Sequence, residues 1–242
     1  MRSLLIAPGD DEAKLAAALA SEADAIVIDL DVAGREKARA NAPRFLQEAA
    51  LRRDGPAPMA RVGPLSGDET DRDLDAVIAA APCALLLPKA RRGACVQQLS
   101  VKLALREALC GIDDGATGII ATVDTAEALL GLAGFRGATA RLIGLAWDAE
   151  ALRVCVGAET ARGAGSAYVG PLRLARDLTL VAAAAAGVAA IDTAFAGLGN
   201  GEGLRAEAHA ARRDGFAAKL AFDPAQAKII NAAFAAANAA PA

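Results

Sequence analysis

TGIIATV (residues 117–123) and RLIGLAW (141–147) are two short, almost wholly apolar runs. Seventeen residues with helical spacing, DTAEALLGLAGFRGATA, lie between them. Neither run alternates apolar with polar residues. A continuous apolar run of strand length is expected where a parallel strand is covered on both faces. Six more such runs lie outside this pair: SLLIA (3–7), AIVIDL (25–30), MARVG (59–63), ALLLPK (84–89), VAAIDTAF (188–195) and KLAFD (219–223). Ala-, Glu- and Arg-rich stretches separate them, among them DEAKLAAALASE (11–22) and GREKARANAPRFLQEAA (34–50), which Pro43 is expected to kink or split. Eight strand–helix units at regular spacing predict an α/β fold, a (β/α)8 TIM barrel, in preference to an open doubly wound sheet. The chain is read as a single barrel domain over residues 1–242.

Composition narrows the function classes. Hydrophobic residues make up 55% and charged residues 23%, which suits a packed globule and not a disordered chain. A net charge of −3 leaves no basic footprint for nucleic acid, and 3% aromatics leave no stacking platform. The four cysteines, Cys83, Cys95, Cys110 and Cys155, have no zinc spacing. SLLIAP is too short for a secretory apolar region and stops at Pro8-Gly9, so reduced thiols and a cytoplasmic location are expected. The longest apolar run, LTLVAAAAAGVAAI (178–191), is too short for a bilayer and reads as a buried helix leading into a strand. No membrane partner is expected.

In a barrel, chemistry belongs at the C-terminal ends of the strands. There the sequence offers Asp10, Asp29 and Asp31, Arg61, Lys89, Asp124, Asp148 with Glu150 beyond, Asp192 and Asp223. Many carboxylates around an Arg and a Lys suit a divalent cation and an anionic substrate. Each acid also has a plainer reading, because Asp commonly caps the helix that follows a strand. Asp148 fits such a cap, and Asp223-Pro224 fits a cap followed by a first-turn proline.

The order of these pieces resembles the citrate lyase beta-subunit-like (malyl/citramalyl-CoA lyase-like) branch of the HpcH/HpaI aldolase family. The resemblance is carried by RSLLIAPGD (2–10), ADAIVIDLD (23–31), RVGPL (61–65), LLLPKA (85–90), LIGLAW (142–147), AAAAAGVAAIDTAF (182–195) and GFAAKLAFDPAQAKIINAAF (215–234). It implies a homo-oligomeric barrel, such as a trimer. The implied activity is a carbon–carbon lyase that uses Mg2+ on a 3-hydroxy acyl thioester, such as an acyl-CoA, or on a hydroxy-oxo acid. Arg61 falls where the family grips the oxo-acid carboxylate, Lys89 in its strand 4 Pro-Lys pair, and Asp31 at the acid after strand 2. Asp124 stands where the family has a metal-binding Glu, about 1.5 Å shorter in reach. The family's second metal-binding Asp is Ala151 here, leaving Glu150 and Asp148 as substitute ligands.

Other positions depart too. Gly63 replaces a usual Asn, Val32 a second acid, Asp223 a His and Ala218 a Gly. The C-terminal lid of longer relatives is expected to be lacking. Three readings follow: the metal-dependent lyase, an aldolase acting on free oxo acids, and a catalytically impaired member serving as a binding or accessory protein. GLGNGEGL (197–204) reads as a turn or a phosphate cradle, and the long loop 157–170 with Arg162 and Tyr168 as a border of the substrate. His209 reads as a surface residue, and no Gly-x-Ser-x-Gly elbow is present.

Overall fold

Each of the eight apolar runs forms a strand: β1 Ser3–Pro8, β2 Ala25–Asp29, β3 Ala57–Arg61, β4 Ala84–Leu87, β5 Gly118–Val123, β6 Leu142–Trp147, β7 Ala189–Asp192 and β8 Ala218–Ala221. In the computed structural model, which describes residues 1–163, 167–197 and 199–235, the strands are parallel and close in sequence order, β8 pairing back onto β1. Helices follow every strand: α1 Glu12–Leu19, α2 Arg35–Leu51, α3 Glu69–Val77, α4 Gly93–Cys110, α5 Ala126–Leu130, α6 Ala149–Cys155, α7 Gly170–Ala186, α8 Gly201–Asp214 and α9 Pro224–Ala235. The expected barrel is therefore the observed one. No helix among the described residues is long and apolar enough to cross a membrane.

Strand side chains alternate between two faces, and closure makes one face interior. Leu4, Ile6, Val27, Met59, Leu86, Ile120, Ala146, Ile191 and Leu220 fill the barrel. Their neighbours, including Leu5, Ile26, Ala60, Leu85, Val123, Leu145 and Trp147, point outward and join the helices in a second, larger apolar shell. Both faces of every strand are thus covered, which is why the runs are continuous in sequence.

Two helices differ from expectation. Pro43 lies inside a single unsplit α2. Ala38, Ala42, Phe45, Leu46 and Ala49 are buried on both sides of the proline, and this packing holds the two halves in one helix. The expected buried helix at 178–186 is instead half exposed. In α7 only Leu172, Ala175, Thr179 and Ala183 are buried, while Leu174, Leu178 and Val181 face outward. An Ala-rich helix on a barrel wall needs just one buried stripe.

The outward face also carries charge. Lys219 on β8 is fully buried and donates to Asp192 Oδ2 (2.9 Å), to the Thr193 carbonyl (2.6 Å) and to Glu207 Oε1 of α8 (2.7 Å). Trp147 Nε1 donates to Asp192 Oδ1 at 2.7 Å, and Arg176 Nε reaches the same oxygen at 3.3 Å. Burial opposes ionisation of Asp192, but Lys219 and Arg176 outweigh it and hold the carboxyl below the usual range. The expectation that Asp192 belongs to the mouth is corrected by strand parity: it faces the helices with Trp147 and Lys219. Removing one partner of a buried pair leaves an uncompensated charge, so Lys219→Ala is expected to cost about 3–5 kcal/mol of folding stability. Urea denaturation followed by circular dichroism measures this, and a change below ~1 kcal/mol would show that the network is not structural.

Candidate active site at the C-terminal mouth

The parity that fills the barrel also selects the mouth residues. Asp29 continues the inward series of Val27, Arg61 that of Met59, Asp124 that of Ile120 and Asp148 that of Ala146. Asp29 and Arg61 are register partners on β2 and β3, and Arg61 Nη1 donates to Asp29 Oδ2 at 3.1 Å. Arg61 Nη2 lies 3.9 Å from Asp31 Oδ2. Burial pushes the Asp29 carboxyl up, although Arg61 partly offsets it. The Arg61 guanidinium is only part-buried, so it keeps a face toward the opening.

Asp31 is placed differently from its expected role. Its carboxylate also takes a hydrogen bond from Arg35, one turn along at the start of α2. Arg35 in turn reaches toward Asp73 of α3 at 3.6 Å, and Asp73 accepts from the Gly63 amide at 2.7 Å. A Cβ at Gly63 would lie 2.8 Å from Arg35 Nη1. Glycine at this position therefore leaves room for Arg35, and Asp31 with Arg35 forms a brace behind Arg61.

Asp124 is 7% exposed, and both of its oxygens accept from the backbone amide of Lys89, at 3.0 and 2.9 Å. Lys89 follows β4 with φ +52°, a left-handed conformation that costs a non-glycine residue about 1–2 kcal/mol. Its side chain is exposed and has no ion-pair partner among the described residues. Burial, together with the charge of Asp148, pushes the Asp124 carboxyl up to about 6, although the Lys89 amide opposes the shift.

Asp148 has two roles. Its Oδ1 caps α6, accepting from the amides of Glu150 and Ala151, each at 3.0 Å. The plainer reading of this residue is thus correct, yet the carboxylate still stands close enough to Asp124 to raise its pKa. Glu150 points elsewhere: its Oε2 accepts from Arg153 Nε at 2.7 Å, and it lines a cavity outside the barrel beside α7 and α8. The first helical turn thus rotates Glu150 away from the mouth, while Asp148 stays beside Asp124.

Among the described residues no group of three or more His, Cys, Asp or Glu side chains could hold a metal ion. Two facing carboxylates nevertheless fit Mg2+, which commonly takes one or two protein carboxylates and completes its shell with water and substrate oxygens. Asp124 is raised chiefly by burial and then by the charge of Asp148, and the Lys89 amide and the Arg61 charge offset this only in part.

Four further expectations concern positions away from these carboxylates. Arg162 and Tyr168 do not border the mouth: Tyr168 packs edge-on against the outward Trp147, and Arg162 binds Glu207. Residues 164–166 of that loop, like Leu198 of the glycine-rich segment, lie outside the described residues. In that segment Asn200 caps α8. Asp223 caps the amide of Ala225 at 2.8 Å, and His209 is exposed. Asp29 and Asp31 both stand at the end of strand 2 in the sequence, and alternation with Val27 is what turns Asp29 inward.

The raised pKa of Asp124 has a consequence for stability. Its charged form disfavours folding above about pH 6, and the penalty vanishes below the ordinary carboxylate range. Asp124→Asn is therefore expected to stabilise the metal-free fold by ~2 kcal/mol at pH 7.5 and by little at pH 3.5. Thermal denaturation at both pH values checks this, and equal effects at the two would contradict it.

The HpcH/HpaI aldolase/citrate lyase family model matches residues 2–224. A (3S)-malyl-CoA thioesterase of Cereibacter sphaeroides is 34% identical over 242 residues, covering 96% of this chain and 76% of its own. The citrate lyase beta subunit of Mycobacterium tuberculosis, solved with oxaloacetate and magnesium, superposes with a TM-score of 0.78 at 28% identity, covering 96% of both chains. The CitE protein of the same organism, solved with magnesium, acetoacetate and coenzyme A, gives 0.77 at 28% identity over 98% of this chain and 82% of its own. With the family model matched along nearly the whole length and the barrel shared with these relatives, the chain belongs to the HpcH/HpaI aldolase/citrate lyase family.

Proposed function

We propose that the protein is a divalent-metal-dependent carbon–carbon lyase acting on a 3-hydroxy acyl thioester of the coenzyme A type. The observation that carries this reading is the convergence of Arg61, Asp124 and Asp148 on one mouth, with an apolar floor beneath them. The magnesium and oxo-acid ligands of the two solved relatives support it.

In this reading Arg61 grips the carboxylate of the oxo-acid half, and Asp29 and Asp31 hold its guanidinium in place. Asp124 and Asp148 would hold the metal, which would supply Lewis-acid polarisation of the oxygen on the carbon that becomes the carbonyl. Lys89 contributes through its backbone amide, which fixes the Asp124 carboxylate. Cleavage breaks the bond between the hydroxyl-bearing carbon and the thioester α-carbon. The first becomes the oxo acid after losing its hydroxyl proton. The second leaves with the bonding pair as an enolate and takes up a proton. Leu86, Ile120 and Ile6 close the site from below and exclude water from the reacting carbons.

The exchange of acids at the head of α6 is consistent with a working site. Asp148 Oδ1 lies 3.0 Å from the Ala151 amide, so its carboxylate reaches the turn where the family's Asp would begin. Positions 148 and 151 share one face of the turn, whereas 150 does not. A second reading, a catalytically impaired accessory protein, is favoured by Ala151 itself and by Asp223 in place of the family's His.

Titration calorimetry of Mg2+ and Mn2+ into metal-free protein, with and without oxaloacetate or pyruvate, separates the readings. Metal binding is expected in the wild type, lost in Asp124→Ala and Asp148→Ala, and retained in Glu150→Ala. Oxo-acid binding is expected to require both metal and Arg61, with Arg61→Ala weakening it at least ~100-fold. Release of acetyl thioester from a malyl thioester then tests turnover. No metal binding in the wild type, restored by Ala151→Asp, would instead establish the accessory reading.

A further inference from the structure

In the outer shell α8 packs closely against α9, whereas α7 and α8 stand apart. A cavity of about 920 Å3 occupies this gap outside the barrel, and Tyr168 and Phe195 also border it. Gly203, Ala206 and Ala210 line it from α8 over about 10 Å of helix. None of these three has a side chain that could cross to α7 and close the gap. The rest of the wall is held firmly. Tyr168 packs edge-on against the buried Trp147, with ring centroids 5.0 Å apart. The Arg162 guanidinium lies 4.0 Å from the centre of the Tyr168 ring and 5.8 Å from that of Phe195, and it binds Glu207. Glu207 in turn accepts from the fully buried Lys219. These groups satisfy one another, so the cavity is shaped in advance of any ligand.

Its charges do not cancel. Five arginines and four acids line the cavity among the described residues, an excess of one positive charge. Arg153 pairs with Glu150 and Arg162 with Glu207, while Arg176 and Arg213 share Asp214. Glu159, the one unpaired acid, is included in that count. Arg173 has no ion-pair partner among the described residues. It stands in the first turn of α7, which carries no acid.

We propose that this cavity is a binding site for a monocarboxylate with an aliphatic body, its carboxylate on Arg173 and its chain along the glycine and alanine face of α8. A guanidinium receives a carboxylate through two parallel hydrogen bonds. An excess of one positive charge matches a monoanion, whereas a dianion would keep half of its charge uncompensated and a cation would be repelled. The small side chains of α8 offer apolar surface and no competing polar group to the chain of the ligand. A volume of 920 Å3 exceeds what a lone anion fills and lies in the usual range of ligand pockets. The site is outside the barrel, and its occupancy needs neither metal nor turnover, so it goes beyond the lyase reading and does not depend on it.

The test is titration calorimetry of hexanoate into the metal-free full chain at low ionic strength. Saturable binding is expected in the wild type. It is expected to weaken about tenfold or more in Arg173→Glu, which reverses the charge, and in Ala210→Leu, which fills the gap. Arg205→Ala, exposed on α8 and outside the cavity lining, is expected to bind as the wild type does. Hexanamide, which has the same chain without the charge, is expected to bind about tenfold more weakly or less, and so is succinate, a dianion of similar length. Arg61→Ala is expected to keep its affinity for hexanoate, which separates this site from the barrel mouth. Absence of saturable binding in the wild type overturns the proposal. So does undiminished affinity in either Arg173→Glu or Ala210→Leu, equal binding of hexanamide or succinate, or loss of hexanoate binding in Arg61→Ala.

Discussion

Closure of eight parallel strands is the constraint on which the rest of this molecule depends. Once β8 pairs with β1, every strand residue is assigned either to a narrow interior or to the shell under the helices. The interior has room only for apolar side chains of moderate size, so the charged residues of the strands and their C-terminal ends fall in two places. One is the inward position just beyond the last apolar layer, where Asp29, Arg61, Asp124 and Asp148 meet the opening. The other is the outward face under α7 and α8, where Lys219 and Asp192 can pair only because Glu207, Trp147 and Arg176 complete their hydrogen bonds. A charge on the wrong parity would face hydrocarbon with no partner.

The same constraint explains which features could be read from sequence. All eight strands were legible, because burial on both faces leaves short continuous apolar runs rich in Leu, Ile and Val. Helix interiors were less so. α2 runs through Pro43 because apolar packing on both sides of the proline holds it there, and that packing is tertiary information. The run at 178–186 looked buried because Ala is apolar, yet Ala is small enough to tolerate exposure at little cost.

At the mouth, residue type was legible and direction was not. Asp192, Asp223, Asp148 and Glu150 look alike in sequence. Parity sends Asp192 outward to Lys219, helix capping occupies Asp223, and one residue of helical rotation turns Glu150 toward Arg153. The brace of Asp31 on Arg35 was equally hidden. It depends on the absent side chain of Gly63, and a glycine gives no sign of what occupies the space beside it.

In the proposed lyase reading, the head of α6 provides its acid by a different arrangement. An acid three residues into a helix projects from its first turn, and an acid at the cap folds back over the same turn to reach the free amides. Asp148 does the second, with its Oδ1 bound to the amide of Ala151. A capping side-chain oxygen accepts from the free amides of the first turn, where the helix N-terminus favours negative charge. Burial, with the charge of Asp148 beside it, pushes Asp124 up to about 6. A fixed anion facing a titratable one is an electrostatic cost that a hard cation would convert to a gain, because the positive charge would lower the pKa of Asp124 and satisfy both carboxylates. The substitution pattern that removes the family's ligand at Ala151 thus supplies another carboxylate at the same turn, tied to the backbone more tightly than a free side chain would be.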